Sequence, residues 1–134
     1  MKIFLDTNVL AAALATRGLC HELFEAVVEN HELITCQIVL NELQRVLRTK
    51  FRISPSLVNS YVALLKSEAI VVPPAKSLAI KIKDPDDAPI LACAVACAAD
   101  FFVTGDKALV EYQSIAGMPI VDPRRMWTRL AGLT

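Results

Sequence analysis

The chain has 134 residues, of which 54% are apolar and 21% are charged, and its formal net charge is zero. This length predicts one domain, residues 1–134, that buries enough apolar surface to fold without disulfides or a structural metal. The zero net charge excludes nucleic-acid binding driven by overall charge, so any such binding needs a local basic patch.

The sequence also limits where the protein works. No apolar run is long enough to cross a bilayer, and no signal peptide precedes the first residues. The four cysteines lie within apolar patterns and lack the paired loop spacing of a disulfide framework. We therefore expect a cytoplasmic protein without membrane contact.

Short apolar runs predict the strands of the fold. Each run is bounded by capping, turn or charged residues, which is typical of strands buried in a sheet. The predicted strands cover residues 2–5, 33–36, 70–72, 101–103 and 119–121.

Apolar residues at helical spacing predict helices between these strands. Strands that alternate with helices favour an α/β fold with a parallel sheet covered on both faces. The segment 75–83 is mixed and predicts either a short helix or an irregular connection. The first helix follows Asp6-Thr7-Asn8, and further helices are predicted at 19–29, 37–50, 55–68, 107–112 and 123–130.

The stretch 84–106 combines acids with the most apolar helix of the chain. Pro89 is tolerated only in the first turn of a helix, so this helix begins near Asp86 or Asp87, with an aspartate as its N-cap. Every residue from 90 to 99 is apolar, which predicts a helix buried on nearly all sides.

Four acids are predicted to meet at one edge of the sheet. Asp6 and Asp106 each follow a strand, and Asp87 opens a helix. Glu42 lies in the helix after the second strand and is within reach of the same edge, where α/β sheets collect ligands. Gathered carboxylates repel one another and need a cation, and all-oxygen sites suit Mg²⁺ or Mn²⁺. Such metals can activate water for attack on a phosphate.

Four segments with acidic landmarks follow one another along the chain: KIFLDTNVL at 2–10, NEL at 41–43, DPDD at 84–87 and VTGD at 103–106. Together they resemble the PIN-domain family, and most closely its VapC-like branch, the toxin components of toxin–antitoxin systems. One motif alone is a weak signal, but four acidic landmarks in order over nearly the whole chain are a strong one. The resemblance implies a three-layer α/β/α sandwich with a central, mostly parallel sheet. It also implies an Mg²⁺- or Mn²⁺-dependent endoribonuclease that hydrolyses RNA phosphodiester bonds.

The resemblance assigns roles to individual acids. Asp6, Glu42 and Asp87 match the three main acids of the family, and Asp106 matches its fourth and more variable one. These four are the predicted catalytic residues and the predicted ligands of one or two metal ions.

Further residues are expected to support this site. Asn8 and Thr104 match polar residues that orient the acids or bound water. Asp84 and Asp86 lie beside Asp87 and are left open as further ligands. Ala92 departs from the branch, whose members often have a glutamate at this position.

A basic cluster on the third predicted helix suggests how RNA is held. Arg45, Arg48 and Lys50 are expected to contact the RNA backbone, although a charged helix face is often only solvated. A second basic group lies at 124–129 and is interpreted first as a solvated helix face, with RNA or an acidic partner as the alternative.

The expected partners follow from the resemblance. They are an RNA substrate, a cognate antitoxin protein and further copies of this chain in a homodimer or larger assembly. Two alternatives remain open: a PIN-like RNA- or protein-binding module without turnover, and an RNA-processing nuclease that is not a toxin. A phosphoacceptor receiver domain is disfavoured because Val121-Asp122-Pro123 lacks the lysine that such a domain needs after its last strand.

Overall fold

A computed structural model describes residues 1–76 and 82–132 of the protein. The prediction for 75–83 falls mainly on residues 77–81, which lie outside the described residues. Within the described part, none of the helices is both long and apolar enough to span a bilayer.

The strands of the described residues form one sheet in the order β3-β2-β1-β4-β6-β5. Neighbouring strands run parallel except for β5, which pairs antiparallel with β6. The predicted mostly parallel sheet is therefore confirmed. The strands are β1 (Lys2–Leu5), β2 (Glu32–Cys36), β3 (Ile70–Val72), β4 (Phe101–Val103), β5 (Ser114–Ile115) and β6 (Met118–Val121).

Helices occupy the connections between the strands, as expected for an α/β fold. A single 3-10 turn, Pro85–Asp87, leads directly into the helix that carries Pro89 in its first turn. The helices are α1 (Thr7–Ala15), α2 (Leu19–Asn30), α3 (Gln37–Thr49), α4 (Pro55–Glu68), α5 (Ala88–Ala96), α6 (Lys107–Val110) and α7 (Pro123–Leu130).

The connections place helices on both faces of the sheet. From β1 the chain moves through β2 to the edge strand β3, and it then crosses back to β4 on the other side of β1. Crossovers between parallel strands are almost always right-handed, so connections running in opposite directions lie on opposite faces. The strand order therefore reverses between β1 and β4, and the crevice for a ligand opens there.

The pairing of β1 with β4 fixes this crevice in register. Leu5 lies opposite Val103, and the Asp6 N–H donates to the Val103 carbonyl over 2.9 Å. Phe4 and Phe102 stack with their ring centroids 5.3 Å apart, which adds a buried aromatic contact to the same strand pair. The residues that follow both strands are thereby held next to each other.

One expectation about burial is wrong in part. The sequence predicts a helix at 90–99 that is buried nearly all round, but α5 ends at Ala96, and Ala96 and Ala98 are exposed. Ala98 has φ of 57°, a left-handed conformation that ends the helix. The sheet has helices on both faces, and its edge strand β3 remains exposed, with Ile70 47% and Val71 42% exposed.

We predict that Thr35→Val stabilises the protein by about 1 kcal/mol, because it removes a polar group that is buried without a partner. The Thr35 side chain on β2 is fully buried, and its hydroxyl has no hydrogen-bond partner among the described residues. Urea unfolding of the variant and the native protein measures the difference.

Thr104→Val is the matched control, since Thr104 is equally buried but its hydroxyl is hydrogen-bonded. This second variant should lose roughly 1–3 kcal/mol because it leaves buried partners unpaired. Equal losses in both variants would contradict the account of Thr35.

Candidate metal centre

Asp6 is a nearly buried carboxylate at the carboxyl end of β1. Its side chain is 8% exposed, and each of its oxygens accepts a hydrogen bond. Oδ1 accepts from the Thr7 N–H over 2.8 Å, and Oδ2 accepts from the Thr104 hydroxyl over 2.9 Å. Burial raises the pKa of Asp6, these two hydrogen bonds lower it, and the charges of Glu42 and Asp106 raise it further. The network fixes the position of this carboxylate before any ligand arrives.

Asn8 joins the two turns that follow β1 and β4. Its Nδ2 lies 3.3 Å from the Thr104 hydroxyl and 3.4 Å from Asp6 Oδ2, while its Oδ1 accepts the Gly105 N–H over 2.8 Å. A Cβ on Gly105 would approach Asn8 Oδ1 to 3.1 Å, so a side chain there would push against this bridge. Thr104 also accepts the Asp106 N–H over 3.1 Å. Asn8 and Thr104 thus lie where the sequence predicted supporting residues.

Glu42 reaches the same place from α3. Its Oε2 accepts a hydrogen bond from the Thr7 hydroxyl over 2.7 Å, and its side chain is half-buried. The sequence did not predict this role of Thr7, which was noted only as part of the turn before the first helix. The available signal was its position in the Asp-Thr-Asn turn, directly after the first acid.

Asp87 stands at the start of α5 but does not cap it. The predicted start of the helix is correct, yet the carboxylate makes no capping hydrogen bond because the preceding 3-10 turn runs into the helix without a break. Burial, followed by the negative charges of Asp84, Asp6, Asp106 and Glu42, raises the pKa of Asp87 to about 6. Burial and four neighbouring negative charges thus all disfavour the ionised form of this carboxyl group.

The four predicted acids line one cavity of about 320 Å³. Asp106 contributes from the start of α6, where its Oδ1 accepts the Ala108 N–H over 2.9 Å. Arg45 and Lys50, two members of the basic cluster, line the same cavity. Its lining residues are Asp6, Thr7, Asn8, Ala11, Ala12, Glu42, Arg45, Val46, Lys50, Phe51, Asp87 and Asp106.

Three predicted residues lie outside this lining: Thr104, which contacts the site through its hydrogen bond to Asp6, Arg48 and Asp84. Arg48 is six residues beyond Glu42, about 240° around the helix, and its Nε donates to the Gln44 carbonyl over 3.4 Å. Asp84 is exposed and its Oδ1 accepts the Asp86 N–H over 3.0 Å, so its carboxylate caps the 3-10 turn. Asp84 still acts on the site through its charge, which raises the pKa of Asp87.

The donor set fits a hydrated divalent cation better than a cation enclosed by protein ligands. All the acidic donors are oxygens, and no basic side chain of the described residues forms an ion pair with any of the four acids. Within the described ranges, no three His, Cys, Asp or Glu side chains are close enough together to bind one ion directly. Mg²⁺ commonly keeps several waters and takes only one or two carboxylates directly. A cation that contacts some of these acids directly and the others through water would be consistent with the all-oxygen donors and with their spacing.

The comparison with known families agrees with the geometry. The model of the PIN domain family matches residues 2–108. The chain belongs to the PIN domain family, whose members are generally nucleases. Among curated proteins, none matches the sequence at a significant level.

Solved structures share the fold at low sequence identity. One chain in the crystal structure of VapBC2 from Rickettsia felis, bound to a DNA fragment from their promoter, is 19% identical. It aligns with a TM-score of 0.67, which covers 91% of this chain and 98% of that one. The crystal structure of PAE2754 from Pyrobaculum aerophilum is 16% identical, with a TM-score of 0.69 and coverage of 98% of this chain and 90% of that one. These similarities confirm the three-layer α/β architecture.

We expect Asp87→Asn to stabilise the metal-free protein at neutral pH. The pKa of Asp87 in the folded state is about 6, above its usual value of 3.8, so the folded state binds the proton more tightly than the unfolded state. This contribution favours folding at low pH and is lost as the pH rises from about 4 to about 6. Because the side chain is partly solvated, we expect a gain of about 1 kcal/mol above that range, measured by urea unfolding in EDTA.

Asp86→Asn is the control, since Asp86 is the exposed neighbour and does not line the cavity. Its free energy of unfolding should stay within about 0.5 kcal/mol of the native value. A less stable Asp87→Asn variant, or equal effects of the two substitutions, would show that the acids do not act on one another.

Proposed function

We propose that the protein is an Mg²⁺- or Mn²⁺-dependent endoribonuclease that hydrolyses RNA phosphodiester bonds. The observation that carries the proposal is the common cavity of Asp6, Glu42, Asp87 and Asp106, which Arg45 and Lys50 also line. A cation with its waters neutralises the acids, and the basic side chains attract a phosphate to the same place. Carboxylates alone would repel that phosphate.

The four acids are proposed as the catalytic residues and the metal ligands. Asp6 and Glu42 are held by Thr7, and Asp6 also by Thr104, so these carboxylates give a cation a fixed position. A bound Mg²⁺ or Mn²⁺ supplies polarisation of the phosphate and a lowered pKa of its water. Asp87, whose pKa is raised to about 6, is ionised at neutral pH and is suited to bind the cation or to accept a proton from water.

RNA is the proposed substrate, with its backbone along α3. Arg45 and Lys50 line the cavity and are exposed, so a phosphate can reach both. Arg48 is exposed on the same helix, outside the cavity, and is proposed to meet the RNA farther along the strand.

We further propose that residues 1–134 work as one unit in the cytoplasm, as the toxin of a toxin–antitoxin pair. Membership of the PIN family and the likeness to a chain of the VapBC2 complex support this biological role. The partner is then an antitoxin protein. It would inhibit most simply by presenting a basic side chain to the four acids or by covering the rim of their cavity.

A binding module without turnover is the second candidate. It is favoured by the spacing of the acids, because no three of them in the described ranges are close enough to bind one ion directly. The first test must therefore measure cleavage and binding separately.

The purified protein should cleave single-stranded RNA with Mg²⁺ or Mn²⁺ and stop when EDTA is added. Asp6→Asn and Asp87→Asn should each reduce the cleavage rate at least about a hundredfold, because each removes a proposed metal ligand. Gel analysis of labelled RNA measures the rate.

Two control variants accompany this assay. Asp86→Asn alters an exposed acid outside the cavity, and Cys93→Ala alters a buried apolar position of α5. Both should retain cleavage within about threefold of the native rate. Cleavage at the native rate in EDTA would rule out the metal-dependent mechanism, and RNA binding without cleavage would favour the binding module.

Self-association is expected at concentrations of tens of micromolar. The edge strand β3 exposes Ile70 and Val71, and Leu64 of α4 is 47% exposed, so apolar surface remains for a second copy to cover. Light scattering should give at least the mass of a dimer, and a monomer at these concentrations would contradict this part of the proposal.

A further inference from the structure

A second cavity, of about 430 Å³, lies between β6, α6 and α7. Among its described lining residues it shares none with the acidic cavity. Six of its nine described lining residues are apolar, and α7 contributes two arginines to the lining. The lining consists of Phe101, Val110, Gln113, Pro119, Ile120, Val121, Arg125, Met126 and Arg129.

The two arginines are placed for binding and are not paired with acids. Arg125 and Arg129 are four residues apart on α7 and therefore project from the same face of the helix. No carboxylate of residues 1–76 and 82–132 lies within the 4.0 Å ion-pair distance of either guanidinium. The nearest acid in sequence, Asp122, uses its Oδ1 to accept the Arg125 backbone N–H over 2.8 Å. Both positive charges remain available to an anionic ligand.

Arg129 is also held by an aromatic ring. Its guanidinium carbon lies 4.9 Å from the centroid of the Phe101 ring, while the residue as a whole remains exposed. A guanidinium supported on one side in this way loses less conformational freedom when a second flat group stacks on its other side. Unpaired nucleobases are recognised by such stacking on arginine and aromatic side chains.

The second cavity begins one strand away from the acidic one. The carbonyl of Val121, a lining residue, accepts the Thr104 N–H over 3.0 Å. The same Thr104 donates its hydroxyl to Asp6. Neighbouring strands are about 4.8 Å apart, so the Val121 end of the cavity lies close to the acids. Phe101 and Arg129 lie at the amino end of β4, about 10 Å farther along the strand, which is a distance of a few nucleotides.

We propose that this cavity binds one unpaired nucleotide of the RNA, a few nucleotides away from the bond that is cut. The base stacks on the Arg129 guanidinium beside the apolar lining residues, and Arg125 contacts the adjoining phosphate. This inference rests on the proposed function, because it assigns the cavity to the same RNA. It also gives a role to two arginines of the basic group at 124–129, for which the sequence left RNA or an acidic partner open as the alternative to a solvated helix face.

The test measures the affinity of the full-length protein for a labelled single-stranded RNA in EDTA, where metal-dependent cleavage is absent. Arg129→Ala should weaken binding about tenfold, within the range found for loss of one stacked base. Arg125→Gln should weaken binding and reduce the slope of log affinity against log salt by about one unit. Arg124→Gln is the matched control, because Arg124 is exposed on the same helix but does not line the cavity, and it should change affinity less than about twofold.

Arg129→Lys separates stacking from charge. Lysine keeps the positive charge but not the planar group, so this variant should bind nearly as weakly as the alanine variant. Native affinity in Arg129→Lys, or an equal loss in Arg124→Gln, would overturn the nucleotide site in favour of diffuse charge. Thermal melting of each variant verifies that the fold is retained.

A scan of RNAs with one abasic nucleotide locates the stacked base. One abasic position should weaken binding to the native protein and have little further effect on Arg129→Ala, since the two changes remove the same contact. Additive losses at every position would contradict the inference.

The outcomes also separate this inference from the proposed nuclease activity. RNA cleavage by the native protein, without a larger loss of affinity in the Arg125 and Arg129 variants than in Arg124→Gln, would support the nuclease and contradict the nucleotide site. Binding that depends on Arg129, without cleavage, would support the nucleotide site and contradict the nuclease. Equal binding of a polyglutamate peptide that depends on the same two arginines would assign the cavity to an acidic protein partner and overturn the inference.

Discussion

The parallel pairing of β1 with β4 is the contact on which the rest of the site depends. The hydrogen bond from the Asp6 N–H to the Val103 carbonyl aligns the carboxyl ends of the two strands. Because the strand order reverses between them, the chain opens a crevice where the two strands end. A shift of one residue in this register would turn Thr104 to the other face and break its hydrogen bond to Asp6.

Burial and neighbouring negative charges disfavour the ionised form of Asp6, and the hydrogen bonds to its carboxylate offset this effect only in part. Three donors surround the Asp6 carboxylate, yet burial and the neighbouring charges still raise its pKa. Asp87 makes no capping hydrogen bond, and burial together with the neighbouring charges raises its pKa to about 6. Titratable groups whose pKa is shifted in this way by burial and by neighbouring charges are typical of functional sites.

The sequence allowed the parts of the fold that local patterns encode to be predicted. The strands β1, β3 and β4 and the helix α7 have the predicted bounds, because apolar runs there end at capping or turn residues. The hairpin strand β5 was not predicted, since its turn uses Ala116 at φ of 49° before Gly117, and an alanine seldom takes that conformation.

For the candidate site, too, the sequence predicted only what local patterns encode. The order of the acids predicted that they meet at one edge of the sheet, and the four acids line one cavity in the structure. The hydrogen bond between Thr7 and Glu42 joins residues 35 positions apart and depends on how α3 packs against α1, which no local pattern reveals. The different positions of Arg45 and Arg48 likewise follow from the rotation of α3 and not from residue type.

The central claim, that these acids form one cation site, is tested most directly by Mn²⁺ binding followed by electron paramagnetic resonance. The account predicts saturable binding of one or two ions to the native protein and its loss in Asp6→Asn, with no change in Asp86→Asn. The absence of binding in the native protein, or equal binding in Asp6→Asn, would contradict it.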